Sequence, residues 1–369
     1  MTDNYFYNKY IDECKRLDKI DSPGKKTVVW ESPSNIALIK YWGKYGNQLP
    51  NNPSVSFTLS RSVTRMEIEY YSISGVSTGL ELYLDGIRND YFEKKLSLFL
   101  KRLLPFFPFL NGLHLKIESY NTFPHSAGIA SSASSFSALA LCLCTIEQEN
   151  FRTFQNQDSF SQKASFIARI GSGSACRSVY GSTVLWGLTP HIANSSNEIA
   201  IPINDLVHPT FSSYHDAIII VDSSAKKISS STGHILMDHH PYADARQIQS
   251  RENLKSLLDS LSSGDELKFS QIVENEALSL QGLIMSSTPG YLLMHPNTLK
   301  VIRKIQDFRQ QLNLNFTFTL DAGPNVHILY PGSIRPQVLD FIESELKAFC
   351  ENEIWIDDQV SNGPAGQIK

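Results

Sequence analysis

The chain has 369 residues, enough for two domains or one large one, and 41% of them are apolar, enough for a sizeable core. Charged residues make up 19%, which argues against long disordered tails, and 33 Lys and Arg against 37 Asp and Glu give a net charge of −4. That balance speaks against nucleic-acid binding, which needs clustered positive charge, but permits a local basic pocket for a small phosphorylated ligand.

In chain order, residues 1–26 are polar, with helical spacing in Tyr10, Ile11, Cys14 and Leu17 and a break at Asp21-Ser22-Pro23-Gly24. They read as an N-terminal extension with no signal-peptide core. Strands are predicted at 27–31, 35–42, 54–60 and 64–72, then at Leu80–Leu84, where Asp85-Gly86 marks a turn. A helix is predicted over 91–106 and a strand over 114–117. A Ser/Ala/Gly-rich loop then leads into a helix at 131–146. Another helix at 158–169 ends in a Gly/Ser turn at 171–174. The texture changes near 204–215. A buried strand is predicted at Asp216–Asp222, helices at 241–262, 266–284 and 295–312, strands at 315–320 and 325–330, a helix at 333–349 and a strand at 353–357. A strand-rich first half and a helix-plus-strand second half predict an α+β protein of two lobes, divided as 27–205 and 206–369. The longest apolar run, Phe136 to Ile146, is too short to span a bilayer. Five cysteines suit reduced thiols in a cytoplasmic protein, and Cys142-x-Cys144 lies in an apolar helical run that favours burial.

Several motifs are decoys. Gly75-Val76-Ser77-Thr78-Gly79 matches G-x-S-x-G but joins two predicted strands, where a hydrolase elbow needs a strand followed by a helix. His234, Asp238, His239 and His240 suggest metal ligands, and a polar loop explains them as well. No P-loop occurs, and no Gly-rich dinucleotide fingerprint.

Four segments carry chemistry. Pro124–Ser135 is a small-residue loop opening a helix. Gly128 allows close backbone approach, Ser131, Ser132 and Ser134 offer hydroxyls, and the helix start favours an anion such as a nucleotide phosphate. A serine cap on an ordinary helix is the alternative. Gly171-Ser172-Gly173-Ser174-Ala175-Cys176-Arg177 is a second such turn, with an arginine suited to a carboxylate or phosphate, or to a surface ion pair. Asn35–Lys44 runs an apolar strand into Lys40, Tyr41, Trp42 and Lys44. Phe316–Asn325 delivers Asp321 into a Gly-Pro turn. Together they make a phosphoryl-transfer inventory.

Ser34–Lys44, Ala127–Ala133, Gly171–Ser178 and Asp321–Asn325 resemble, in order and approximate spacing, the motifs of the diphosphomevalonate decarboxylases. The likeness spans about residues 28–357. The serine loop is shared more widely across the GHMP kinase superfamily. The resemblance implies that superfamily's two-lobed fold, with an N-terminal lobe like ribosomal protein S5 domain 2 and a ferredoxin-like C-terminal lobe. It implies Asp321, Lys40 and Arg177 as catalytic residues. Asn35, Tyr41, Lys44, Ser172, Ser174, Ser230 and Ser231 would bind substrate, and Gly128, Ser131, Ser132, Ser134, Lys226 and Lys227 would bind ATP. Mg²⁺ would be carried chiefly by the ATP phosphates, with no dedicated protein metal site. The expected reaction is ATP-dependent decarboxylation of mevalonate 5-diphosphate to isopentenyl diphosphate, in a cytoplasmic homodimer without nucleic-acid or membrane partners. A mevalonate 5-phosphate decarboxylase, a 3-kinase of the same fold and a non-catalytic binder are the alternatives. The match weakens after Lys226-Lys227-Ile228-Ser229-Ser230-Ser231: the family usually continues with Gly-Met, and this chain has Thr232-Gly233-His234.

Overall fold

A computed structural model describes residues 4–17, 19–20, 24–74, 77–124, 129–224 and 230–368. Helix α1 (Tyr5–Cys14) turns Phe6, Tyr10 and Cys14, spaced by four, into the first core. Strand β1 (Lys26–Ile39) runs unbroken through the two strands predicted there. Pro33 lacks an N–H, and the pairing register shifts just after it, so the strand passes the proline by a bulge. The short β2 (Lys44–Tyr45) and β3 (Leu49–Pro50) pair with each other. Strand β4 (Ser54–Ser72) likewise merges two predicted strands. Then follow β5 (Gly79–Leu84), β6 (Ile87–Arg88), α2 (Asp90–Leu103), β7 (Leu113–Asn121), α3 (Ser131–Phe151) and α4 (Gln157–Gly171). The Gly/Ser turn continues as a tight helical stretch over Gly173–Val179. Strands β8 (Thr183–Trp186) and β9 (Ala200–Pro202) follow; neither is predicted from the sequence.

The second half begins with α5 (Pro209–Ser212), β10 (Tyr214–Ile219) and α6 (Ser230–Ile235). The long helices α7 (Ala243–Ser263), α8 (Glu266–Ser286) and α9 (Pro296–Leu312) lie close to their predicted spans. Strands β11 (Thr317–Thr319) and β12 (Val326–Pro331) precede α10 (Arg335–Phe341). The helix predicted over 333–349 is helical there but changes pitch, widening at 342–346 and tightening at 347–349. Strands β13 (Trp355–Gln359) and β14 (Ala365–Ile368) end the described chain.

Among the described residues, β14-β1-β4-β7-β5-β6 form one sheet in that order, joined by β8 and β9 through β4. It is antiparallel except where β5 meets β7. Helices α3 and α4 bury one core against it. The second half has an antiparallel sheet ordered β11-β12-β10-β13. Two features tie the halves together. The Asp358 carboxylate accepts the N–H groups of Ser60, Arg61 and Ser62 at 2.9, 2.8 and 2.7 Å, where β4 bends. And β14 returns from the chain's end to lie antiparallel on β1. The ends of β1 and β11 meet above α8, and the site lies there.

Candidate active site

Lys40 follows the last residue of β1, and Asp321 opens the turn after β11. Their side chains meet at 3.0 Å, with Lys40 almost wholly buried and Asp321 24% exposed. Helices α7 and α8 hold both backbones. The Lys40 N–H donates to Glu276 at 2.8 Å, and its carbonyl accepts from Arg246 at 3.1 Å and Asn52 at 3.0 Å. Glu276 and Arg246 are themselves a buried ion pair at 2.5 Å. Gln281 donates its amide to the Asp321 carbonyl at 2.8 Å. Burial lowers the Lys40 pKa, and the charges of Asp321 and Glu276 only partly oppose it.

Arg177 lies in the tight stretch after α4 and is buried. Its Nε and Nη2 donate to Asn35 Oδ1 at 3.2 and 3.1 Å, and its Nη1 to the Ser54 hydroxyl. No carboxylate forms an ion pair with it among the described residues, and burial depresses its pKa. A desolvated guanidinium held by neutral acceptors is poised for an anionic ligand. The glycines of this turn allow its packing. A Cβ on Gly173 would come within 2.8 Å of Trp186 and 2.9 Å of the Tyr41 hydroxyl, and one on Gly171 would strike Phe136.

A cavity of about 340 Å³ opens over these groups. It brings Lys40, Asp321 and Arg177 together with Tyr41, Lys44, Ser172 and Ser174, and reaches Ser132 at the start of α3. Three cations against one carboxylate give it a positive balance suited to a polyanion. Lys44 is half-buried and donates to Gln48 at 2.9 Å; burial lowers its pKa. A second, mainly apolar cavity of about 360 Å³ lies beyond Ser132, between α2 and α3. Leu84, Phe92, Leu96, Phe99 and Phe136 wall it, with Ser131 and Ser132 at its edge. The two cavities share Ser132 and Phe136.

Two expected ligand contacts face elsewhere. Asn35 has both ends of its amide engaged, by Arg177 on one side and by Ser178 and the Ser174 carbonyl on the other. It orients Arg177 and does not line the cavity. Ser134 is fully buried beside Thr64, 2.6 Å between hydroxyls, because its position on α3 turns it toward the sheet. The cap residue of α3 is Ala130, with φ +43°, so no serine caps that helix. Gly128, Lys226 and Lys227 lie outside the described residues, as do the side chains of Ser230 and Ser231 and, of the G-x-S-x-G match, Gly75 and Val76.

The histidines near 234–240 separate. His234 Nδ1 accepts the Gly43 N–H at 3.0 Å, whereas His240 Nε2 lies 3.0 Å from the Leu283 carbonyl. No group of three His, Cys, Asp or Glu able to hold a metal occurs among the described residues.

Sequence reasoning missed the apolar cavity and the clamp of Glu276, Arg246 and Gln281. One signal was available: Val273, Glu276, Ala277, Leu280, Gln281 and Ile284 form the buried stripe of α8, so two polar residues sit at core spacing.

Comparison with known proteins agrees with this architecture. Residues 32–197 match the diphosphomevalonate decarboxylase-like N-terminal domain, and residues 217–364 the mevalonate 5-diphosphate decarboxylase C-terminal domain. The diphosphomevalonate decarboxylase of Gibberella zeae is 30% identical over 81% of this chain and 79% of its own length. That of Candida albicans is 29% identical over 84% and 86%. The crystal structure of the mevalonate diphosphate decarboxylase from Staphylococcus aureus superposes with a TM-score of 0.79 at 25% identity, covering 93% of this chain and 98% of that one.

Proposed function

The chain belongs to the diphosphomevalonate decarboxylase family, and from that premise we propose how its cavities carry out the ATP-dependent decarboxylation of mevalonate 5-diphosphate. The observation that carries the reading is the Lys40–Asp321 pair beside a buried Arg177 that has no carboxylate ion pair among the described residues, in a cavity that continues to the start of α3. Arg177 takes the substrate carboxylate, Asp321 the 3-hydroxyl, and Lys44, Ser172 and Ser174 the phosphate tail. The start of α3, with Ser131 and Ser132, takes ATP phosphates, and the apolar cavity behind it takes the nucleobase. Magnesium bound with the ATP phosphates at the start of α3 would supply charge neutralisation there.

Direct loss of CO₂ from a 3-hydroxy acid would strand a carbanion with no neighbouring carbonyl. Phosphorylation of the 3-hydroxyl removes that obstacle. Asp321 orients the hydroxyl and accepts its proton as the oxygen attacks the γ-phosphorus. Lys40 holds Asp321 in place and offsets charge at the transferring group. Phosphate then departs with the C–O electron pair. The C–C electrons of the carboxylate arm form the alkene as CO₂ leaves. Arg177 keeps that arm in the required alignment until the bond breaks.

Two domains, 27–205 and 206–369, preceded by the 1–26 extension, belong to the same proposal, with β14 crossing back to the first. So do a cytoplasmic location and a homodimeric state. The five cysteines are buried and unbridged, which suits a reducing compartment, and no described helix is long and apolar enough to cross a membrane.

Product analysis with ATP and each mevalonate phosphate tests the reading. Mevalonate 5-diphosphate should yield ADP, phosphate, CO₂ and isopentenyl diphosphate in equal amounts. ADP without CO₂ would indicate a 3-kinase, and preference for mevalonate 5-phosphate the sister decarboxylase; either overturns the assignment.

A further inference from the structure

The segment that departs from the family's usual Gly-Met folds into the wall of the cavity that holds Lys40, Asp321 and Arg177. Helix α6 brings His234 there, with its ring 4.2 Å from that of Tyr41 and 4.9 Å from that of Trp42. Gly233 permits the approach, since a Cβ at that position would meet the Trp42 ring at 2.5 Å. Gly43, with φ +89°, turns its N–H onto His234 Nδ1 at 3.0 Å. A neutral imidazole that accepts at one nitrogen carries its proton on the other. Burial, reinforced by the charge of Lys44, pushes the ring's pKa down to about 3, so it stays neutral at working pH. Nδ1 is thus committed to the backbone, and Nε2–H is the polar group left on a ring that lines the cavity. Along the same wall stands Lys44, which has no ion pair with a carboxylate among the described residues.

We infer that His234 is a specificity-determining contact for the substrate's phosphate tail, donating its Nε2–H to a non-bridging phosphate oxygen. The inference rests on the assignment of this cavity to mevalonate 5-diphosphate. With the carboxylate at Arg177 and the 3-hydroxyl at Asp321, the tail extends along residues 41–44, where Lys44 supplies charge and His234 a directed bond. Charge alone attracts any anion; a fixed donor selects where an oxygen must lie. The Gly43 bond fixes the tautomer, so the donor is set before the substrate arrives.

Two variants test this. His234→Met removes the donor and restores the residue usual in the family. His234→Gln can still accept from Gly43 and present an N–H to the cavity. Loss of a hydrogen bond to a charged acceptor predicts a KM for mevalonate 5-diphosphate raised roughly 10- to 100-fold in His234→Met, with a much smaller change in kcat. The KM for ATP should hold, and His234→Gln should recover most of the loss. Inorganic pyrophosphate, a tail without the mevalonate, should inhibit the wild type competitively and His234→Met at least several-fold less. A lowered Tm with kcat and both KM values affected alike in the two variants would mark a structural role and overturn the inference. An active wild type with unchanged KM in His234→Met overturns it alone. A wild type inactive on mevalonate 5-diphosphate overturns the cavity assignment and this inference with it.

Discussion

Among the described residues two lysines are buried against carboxylates, and they differ in what surrounds the pair. Lys163 meets Glu147 at 2.5 Å with both side chains at most 3% exposed. Cys14 lies 3.1 Å from the same ammonium, the Phe107 ring 4.7 Å away, and Thr153 donates to the other Glu147 oxygen. The pair is enclosed within the first core. Lys40 is equally buried, but its partner Asp321 faces the cavity. Burial pulls both lysines toward neutrality. Around Lys163 the charge of Glu147 overcomes it and the pKa is raised; around Lys40 burial prevails and the pKa is lowered. A closed pair stabilises by completeness. A pair that borders the cavity leaves its carboxylate within reach of a ligand there, as the proposed role of Asp321 requires.

The sharpest way to break the comparison is Asp321→Asn. The amide is nearly isosteric but cannot accept a proton, so phosphoryl transfer should fall by about 10²- to 10⁴-fold, with CO₂ release falling in step. Tm and ATP affinity should change little. A folded variant with more than about a tenth of wild-type turnover would remove Asp321 from acid–base chemistry.

Lys163→Met should show the reverse pattern. It strands the Glu147 carboxylate in the core, which costs about 3–5 kcal/mol in denaturant unfolding. Turnover per folded molecule should be retained. The double variant Lys163→Met/Glu147→Leu should regain most of the stability; no recovery would mean that packing, and not charge, sets the loss.

Arg177→Lys keeps the charge and loses the fork. Loss of a charge-assisted bond is worth about 1.5–3 kcal/mol, a drop of roughly 10- to 150-fold in kcat/KM. Near-normal kcat/KM would take Arg177 out of the substrate site.

The smallest effect is in pH. Lys163, raised above 10.5, contributes stability that is present below that value and fades as pH climbs through its folded pKa. Lys40, lowered from 10.5, binds fewer protons folded than unfolded, so its contribution rises with pH between its folded value and 10.5. Alkaline Tm profiles should therefore lose a descending component in Lys163→Met/Glu147→Leu and an ascending one in Lys40→Met. Profiles parallel to the wild type would refute both signs.

The reading from residues reached the long helices and the α+β class, because periodicity is written locally; the meeting of Lys40, Asp321 and Arg177 was implied by the family resemblance. It divided β1 and β4 in two, since Pro33 and the Ser60–Ser62 bend look like breaks until a partner strand is present to carry the register past them. It passed over β8, β9 and β14, short segments that become recognisable as strands only through their pairing with other strands. At the site it counted Asn35 and Ser134 as ligand contacts, because a sequence shows which polar groups are present and not which way they turn. Glu276 and Gln281 escaped notice for the same reason: their partners, the Lys40 N–H and the Asp321 carbonyl, lie far away along the chain.

The pairing of β14 with β1 has a consequence for timing. Val28 faces Ile368, so on the ribosome β1 gains this edge partner only after both described halves have been made. Until then β1 presents one unpaired edge to its surroundings, a known hazard for association with other chains. Contacts so distant in sequence are slow to form. Strand β14 is thus the latch that covers this edge of β1.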